Sequence, residues 1–405
     1  MDVAETVRAL FSSDAASDPY PHYAELLAAG EAHQLPTWAS TVVVGYAAME
    51  SVLRDPVFEV LGAAGLDASF PAWREHPSMS KNAVNDLNGG DHTRVRGLMS
   101  RAFSHRRVAS LEPAIAATTA GLLDDMAVRG AAGEPVDFMR RFAYQLPVTV
   151  ICDLIGIPEA DRETFRPLAN DLVVGLIGQR HPKQDALALA DAATLRLNDY
   201  FTALADDRRR QPRDDLISAL VPIRDAGDGR LSDAEFLDNL NVLIVAGFVT
   251  TINLLGNGLA IMLADPAIRG AVRQGDVSPG EFVEEVLRYE APVQLGIRRA
   301  AADTKVGDIP VSEGSSVLLF IGAGNRDPRR FASPDRFDPR RPDAGSLSFG
   351  GGPHFCLGAA LARLEATVAF SLLLDRFPDI AAAGEARRVP GPAFRGFDFL
   401  PVRVR

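Results

Sequence analysis

Cysteine is nearly absent: 405 residues carry two, Cys152 and Cys356, with no Cys-x-x-Cys pair. That excludes a disulfide framework and a cysteine-rich zinc site, and it fits a reducing cytoplasm. Excess positive charge is lacking too. Lys+Arg number 42 against 53 Asp+Glu, a net charge of −11, so nucleic-acid binding, which needs a strongly basic surface, is not expected. The longest basic run, Arg208-Arg209-Arg210, follows Asp206-Asp207 and reads as a solvated helix end beside a Pro-containing connector. Met1-Asp2-Val3-Ala4-Glu5 holds neither a basic n-region nor an apolar h-region, so no secretory signal is expected. No Gly/Ser- or Pro-rich linker and no internal repeat divides the chain. A single domain over residues 1–405 is expected, although the length exceeds the usual roughly 100–200 residues.

Charge is missing altogether from Asn239 to Ala264. The run is long enough to cross a bilayer. It nevertheless contains Asn241, Thr250, Thr251, Asn253, Asn257 and three glycines, and scattered polar residues point to a central buried helix with no membrane partner. Helical periodicity dominates elsewhere, at Tyr23–Ala29, Leu111–Met126, Ala186–Leu204, Phe236–Leu263, Pro279–Tyr289 and Leu357–Phe377. Strand-like stretches are few: Thr41–Val44, Ser316–Ile321, Phe399–Val404, and a hairpin through Val306-Gly307-Asp308-Ile309-Pro310. Loops are expected at 60–90, Gln211–Asp214, Ala226–Ser232 and Asn325–Leu347; structureless runs as long as the last are uncommon and often functional. The fold class is mainly α with minor β.

The chemistry concentrates in Ser348-Phe349-Gly350-Gly351-Gly352-Pro353-His354-Phe355-Cys356-Leu357-Gly358-Ala359. Clustered glycines allow backbone conformations closed to other residues and the close approach of a flat ligand. Cys356 stands just before a helix, where unpaired N–H groups stabilise a thiolate and tune a metal bound to it. Cys152, in the apolar run Val148–Leu154, reads as an inert core thiol.

The stretch resembles the cysteine-ligand loop of the cytochrome P450 family, Phe-Gly-x-Gly-x-His-x-Cys-x-Gly, which Phe349, Gly350, Gly352, His354, Cys356 and Gly358 satisfy. The resemblance runs along nearly the whole chain, from Asp18-Pro19-Tyr20-Pro21 through Asn325-Arg326-Asp327-Pro328 to Phe394-Arg395-Gly396-Phe397. It implies the P450 fold of the soluble bacterial type. Haem b would be buried between a long central helix and the cysteine-ligand helix, with Cys356 as the axial iron ligand. Phe349 would pack beside the sulfur, and His354 would bond a haem propionate. In Asp91-His92-Thr93-Arg94-Val95-Arg96, which resembles the family's haem-edge helix, His92 and Arg96 lie one turn apart and can share a carboxylate. Arg298 completes that set by resemblance.

Glu285-Val286-Leu287-Arg288 is the family's bracing pair by position. Glu-x-x-Arg by itself has no force, since it also begins at Glu5, Glu159, Glu163 and Glu385. The resemblance supplies a third member from a later loop, expected at Arg336.

One departure concerns mechanism. Before the threonine of Ala246-Gly247-Phe248-Val249-Thr250-Thr251 the family usually carries an acid; here Val249 stands there. Either water carries protons to Thr250, or the reaction needs fewer of them, as in oxidative coupling or ring closure. The resemblance implies a mono-oxygenase acting on a small, largely apolar molecule of secondary metabolism, in the cytoplasm and as a monomer. Electrons would come from NAD(P)H through ferredoxin reductase and ferredoxin. The competing readings are a coupling or cyclisation enzyme on the same scaffold and a haem protein that binds without turnover. Phe70, Trp73, Val84, Ile177, Ala246, Gln294, Ile297 and Phe394 are expected to line the pocket. Arg101, His105, Arg106 and Arg107 form a basic cluster where an acidic ferredoxin is expected to dock.

Overall fold

Local chemistry sets several helix boundaries. Ser278 accepts the Glu281 amide (3.2 Å) while Glu281 accepts that of Ser278 (2.8 Å). With Pro279 in the first turn, this capping box starts the helix Pro279–Tyr289. Ser232 and Glu235 exchange the same pair of bonds before the helix Asp233–Ala264. Asp265 accepts from Ala267 and Ile268, with Pro266 at the first helical position, to start Pro266–Gln274.

The computed structural model describes residues 2–12, 18–62, 76–177, 186–342 and 345–404. Contacts divide the chain into two compact units: Met1–Glu59, Glu112–Leu146 and Thr250–Arg405 form one, and Val60–Leu111 with Pro147–Val249 the other. No linker marks the division between Val249 and Thr250, which falls inside the continuous helix Asp233–Ala264.

The first unit holds a five-stranded sheet ordered Ala32–Leu35, Ser40–Val43, Ser316–Phe320, Leu295–Ala300, Phe58–Glu59. Ser40–Val43 and Ser316–Phe320 pair in parallel, and both are apolar and buried over most of their length. Leu295–Ala300 shows no strand periodicity in the sequence. Its place between two partners makes it a strand, with Ile297 opposite Leu318. The expected strand Phe399–Val404 is two strands in different sheets, Phe397–Phe399 and Pro401–Arg403. Pro401 has no N–H to carry a ladder onward. The hairpin pairs Thr304–Val306 with Ile309–Val311 across Gly307, whose φ of +57° a side chain would resist.

In this unit the cysteine-side helix Ala359–Arg376 packs against the end of the central helix: a Cβ at Gly258 would lie 2.3 Å from Phe370 Cζ. One polar residue of the uncharged run, Asn257, is spent in the interior. Asn257 Nδ2 donates to the carbonyls of Glu290 and Arg395, both at 3.0 Å. Asp233–Ala264 is the one helix among the described residues that is long and apolar enough to cross a membrane, and two-thirds of its apolar window is buried in protein.

In the second unit, Arg208 is not a solvated helix end. It is 2% exposed and donates to Asp215 (2.6 Å), Asp207 (2.7 Å) and the carbonyl of Gly156 (2.5 Å). Its neighbour Arg209 does reach the surface, paired with Asp206 and Asp225. The segment following residue 75 is held down by acids. Asp191 accepts from His76 (2.6 Å) and Ser78 (2.6 Å), and Asp238 accepts from Asn82 Nδ2 (2.8 Å).

Candidate functional site

Cys356 stands in a loop whose turns need glycine. Gly350 and Gly352 have φ of +70° and +62°, and a Cβ on Gly352 would lie 2.2 Å from the carbonyl oxygen of Leu53. The Cys356 amide donates to Phe349 O (2.9 Å), and the Gly350 amide to Leu347 O (2.8 Å). Gly358 is the cap residue of Ala359–Arg376, so the thiol lies just ahead of a helix N-terminus. Neither cysteine is in a disulfide. Cys356 is exposed, whereas Cys152 is buried and burial pushes its thiol up to about 12. The two thiols thus differ: one is presented at the surface and the other is enclosed.

The loop is tied to the helix Pro279–Tyr289 by a buried polar network. Glu285 and Arg288 are both fully buried. Arg288 grips Glu285 through two bonds, Nε to Oε2 (2.8 Å) and Nη2 to Oε1 (2.7 Å). Its remaining donors reach the carbonyls of Asn325 (3.0 Å), Pro334 (2.9 Å) and Arg336 (3.1 Å). Asn325 carries the tie onward, accepting the Leu347 amide (2.7 Å) and donating to Ser348 Oγ (2.9 Å), immediately before the cysteine loop.

The third member of this brace is Arg341 and not Arg336. Arg341 Nε lies 3.4 Å from Glu285 Oε2, with its side chain 9% exposed. Arg336 is exposed and contributes only its backbone carbonyl, which Arg288 and Arg341 both use. Spacing could not choose between them, because the run Asn325–Leu347 holds six arginines.

Among the described residues, no carboxylate pairs with the guanidinium of Arg298, on the strand Leu295–Ala300. Among the described residues its one hydrogen bond goes to its neighbour's carbonyl, Ile297 O (2.9 Å), and burial holds it below the ordinary arginine range. A desolvated cation of this kind fits an anionic ligand group such as a haem propionate. His354 sits half-buried in the short turn Gly352–His354 of the same unit. Ile297 is 37% exposed, and Phe394 is half-buried and bridges to Val293. Gln294 lines a small cavity together with Tyr23, Phe394 and Arg395. Its Oε1 accepts from Tyr23 (3.1 Å) and its Nε2 donates to Ala291 O (2.7 Å), so the amide is spent inside the core.

In the second unit, the helix Gly89–Met99 carries His92 and Arg96 one turn apart. His92 is buried, and burial followed by the Arg96 charge holds its imidazole below the ordinary range. Arg94, between them, belongs to a different set, pairing with Glu235 (2.6 Å) and Asp91 (2.8 Å). The Val84 amide is pinned to Asn239 Oδ1 (3.0 Å), Ala246 is exposed on the central helix, and Val249 is half-buried. Thr250, which begins the last segment of the other unit, is also half-buried. In the basic cluster Arg101, His105 and Arg106 are exposed, but Arg107 is taken by the side chain and carbonyl of Asp214. Phe70, Trp73 and the Ile177 side chain lie outside the described residues.

The sequence model of the family described as Cytochrome P450 matches residues 280–382, which include the Glu285–Arg288 pair and the cysteine loop. The chain is 38% identical to the cytochrome P450 monooxygenase PikC of Streptomyces venezuelae over 402 residues, covering 97% of this chain and 92% of that one. It is 35% identical to the vitamin D(3) 25-hydroxylase of Pseudonocardia autotrophica, over 98% and 96% of the two chains. The ligand-free structure of Mycobacterium smegmatis CYP164A2 superposes with a TM-score of 0.87 at 35% identity, covering 99% of this chain and 100% of that one. With its thiol presented by a braced glycine loop, and with relatives of this extent, the chain belongs to the cytochrome P450 family of haem mono-oxygenases.

Proposed function

We propose that Cys356 would hold the iron of haem b and that the substrate is a small, largely apolar molecule, hydroxylated or epoxidised in secondary metabolism. The observation that carries this reading is the exposed Cys356 thiol, presented at a helix N-terminus by a loop that buried hydrogen bonds hold in place. Thiolate-ligated haem, when bound, supplies dioxygen activation.

The remaining roles fall to this chain's own residues. Arg298 and His354 hold a propionate, as do His92 and Arg96, because a carboxylate taken out of water needs cationic or donor partners. Phe349 shields the sulfur, and Gly358 lets the helix begin just after the ligand. Thr250 positions water, and since Val249 has no proton to give, that water carries protons from solvent. Val84, Ala246, Ile297 and Phe394 offer apolar walls. The similarity to a vitamin D(3) 25-hydroxylase supports a largely apolar substrate. Reducing equivalents pass from NAD(P)H through a ferredoxin reductase and ferredoxin to a cytoplasmic monomer that works as a single domain.

Candidate ligands are screened by the absorbance change as water leaves ferric haem. Turnover of a hit under labelled dioxygen then tests the reaction: one labelled oxygen per product supports insertion. A product without label, formed with full consumption of reductant, would sink it in favour of coupling or cyclisation.

A further inference from the structure

Helix Pro279–Tyr289 grips the cysteine loop twice, through adjacent residues with different surroundings. Glu285 faces the buried network described above. Glu284, half-buried, binds Arg363 of the helix Ala359–Arg376 through both carboxylate oxygens: Arg363 Nε donates to Oε1 and Nη2 to Oε2 (3.1 Å). The guanidinium so held lies over the ring of Phe349, 4.3 Å from its centroid. Phe349 is the residue whose carbonyl accepts the Cys356 amide (2.9 Å), and its ring also meets that of Phe355 at 6.3 Å.

A planar cation fixed by a two-point carboxylate contact is a stable platform, and an arginine over an aromatic face is attracted by the ring quadrupole. An ion pair this exposed, 37% for Arg363 and 31% for Glu284, adds little to stability by itself. Its geometric effect is more specific. The cation pins the ring that shares a turn with the cysteine and draws π density away from the other surroundings of that ring.

We infer that Arg363 is a positioning residue which, clamped by Glu284, acts through the Phe349 ring to moderate electron donation by the Cys356 thiolate and so raises the reduction potential of the bound haem. The inference rests on Cys356 being the haem ligand. Groups around a ligating sulfur tune a metal without touching it. A direct charge effect is weak here, because Glu284 and solvent screen the guanidinium; the ring is the route that remains.

The test is spectroelectrochemical titration of the substrate-free holoenzyme. Arg363→Met is expected to lower the haem reduction potential, and Arg363→Lys to recover most of the change. In a Phe349→Leu background, Arg363→Met is expected to have no further effect. An unchanged or raised potential in Arg363→Met overturns the inference, as does a shift that persists undiminished without the ring. A mere helix brace would lower the unfolding temperature and leave the potential alone. The carbonyl complex of the reduced protein keeps the two claims separate. Loss of the red-shifted, thiolate-type Soret band in the parent protein removes Cys356 as ligand, whereas an intact band with an unmoved potential removes only the role of Arg363.

Discussion

Arg341 Nε lies 3.4 Å from the Oε2 of Glu285, on a carboxylate that Arg288 already holds at both oxygens and that also accepts the Asp338 amide at 2.7 Å. One buried acid thus gathers two arginines and a loop amide, and this junction ties the long loop before the cysteine to the helix Pro279–Tyr289.

Arg341→Met is expected to destabilise the protein and weaken haem retention, since removing one member of a buried ion cluster typically costs about 3–5 kcal/mol. Arg336→Met is expected to change stability by about 0.5 kcal/mol or less, because that residue gives only its carbonyl and its side chain is at the surface. Urea unfolding of both variants, with haem content after gel filtration, checks the pair. Equal losses in the two would contradict the assignment of Arg341.

Glu365, on the helix Ala359–Arg376, is 3% exposed, and among the described residues its Oε2 has no hydrogen-bond partner. Burial pushes its carboxyl up from 4.5 to about 8. The folded state therefore binds this proton more tightly than the unfolded chain does. The resulting stability is fully present below pH 4.5 and is lost as pH rises through about 8. Glu365→Gln, neutral at every pH, is expected to match the parent at pH 5 and to exceed it at pH 9. Denaturant midpoints at the two pH values decide it, and a parent enzyme equally stable at both would refute the buried neutral acid.

Cys356→Ser is expected to abolish oxidation, because an alcohol cannot replace the electron donation of the thiolate. Cys152→Ser is expected to leave the haem spectrum unchanged and to lower stability, since it shrinks a buried side chain and takes a hydroxyl out of water. A carbonyl-complex spectrum of the histidine-ligated type in fresh parent protein would contradict the assignment of Cys356.

Thr250→Ala is expected to divert most reducing equivalents to peroxide, and Val249→Asp to leave coupling unchanged or improve it, because water alone now supplies protons beside Val249. Product formed per NAD(P)H consumed measures both. A Thr250→Ala enzyme that stays tightly coupled would show that the hydroxyl only bonds the preceding helical turn.

Features that depend on near neighbours were legible in the sequence. The helix Pro279–Tyr289 has the expected boundaries because Ser278, Pro279 and Glu281 complete its first turn among themselves. The cysteine loop could be recognised because its positive-φ glycines, its cysteine and the following helix lie within one dozen residues. Partners chosen across long stretches of chain were not legible. The path of residues 325–342, and not any spacing, brings Arg341 to Glu285 and leaves Arg336 outside. The partner of the Gln294 side-chain oxygen is Tyr23, a residue 271 positions earlier. Composition alone described a helix long enough for a membrane. Burial of Asn257 against the carbonyls of Glu290 and Arg395 makes it a core helix of the folded chain, because those buried backbone acceptors require a donor and only the tertiary fold brings one to them.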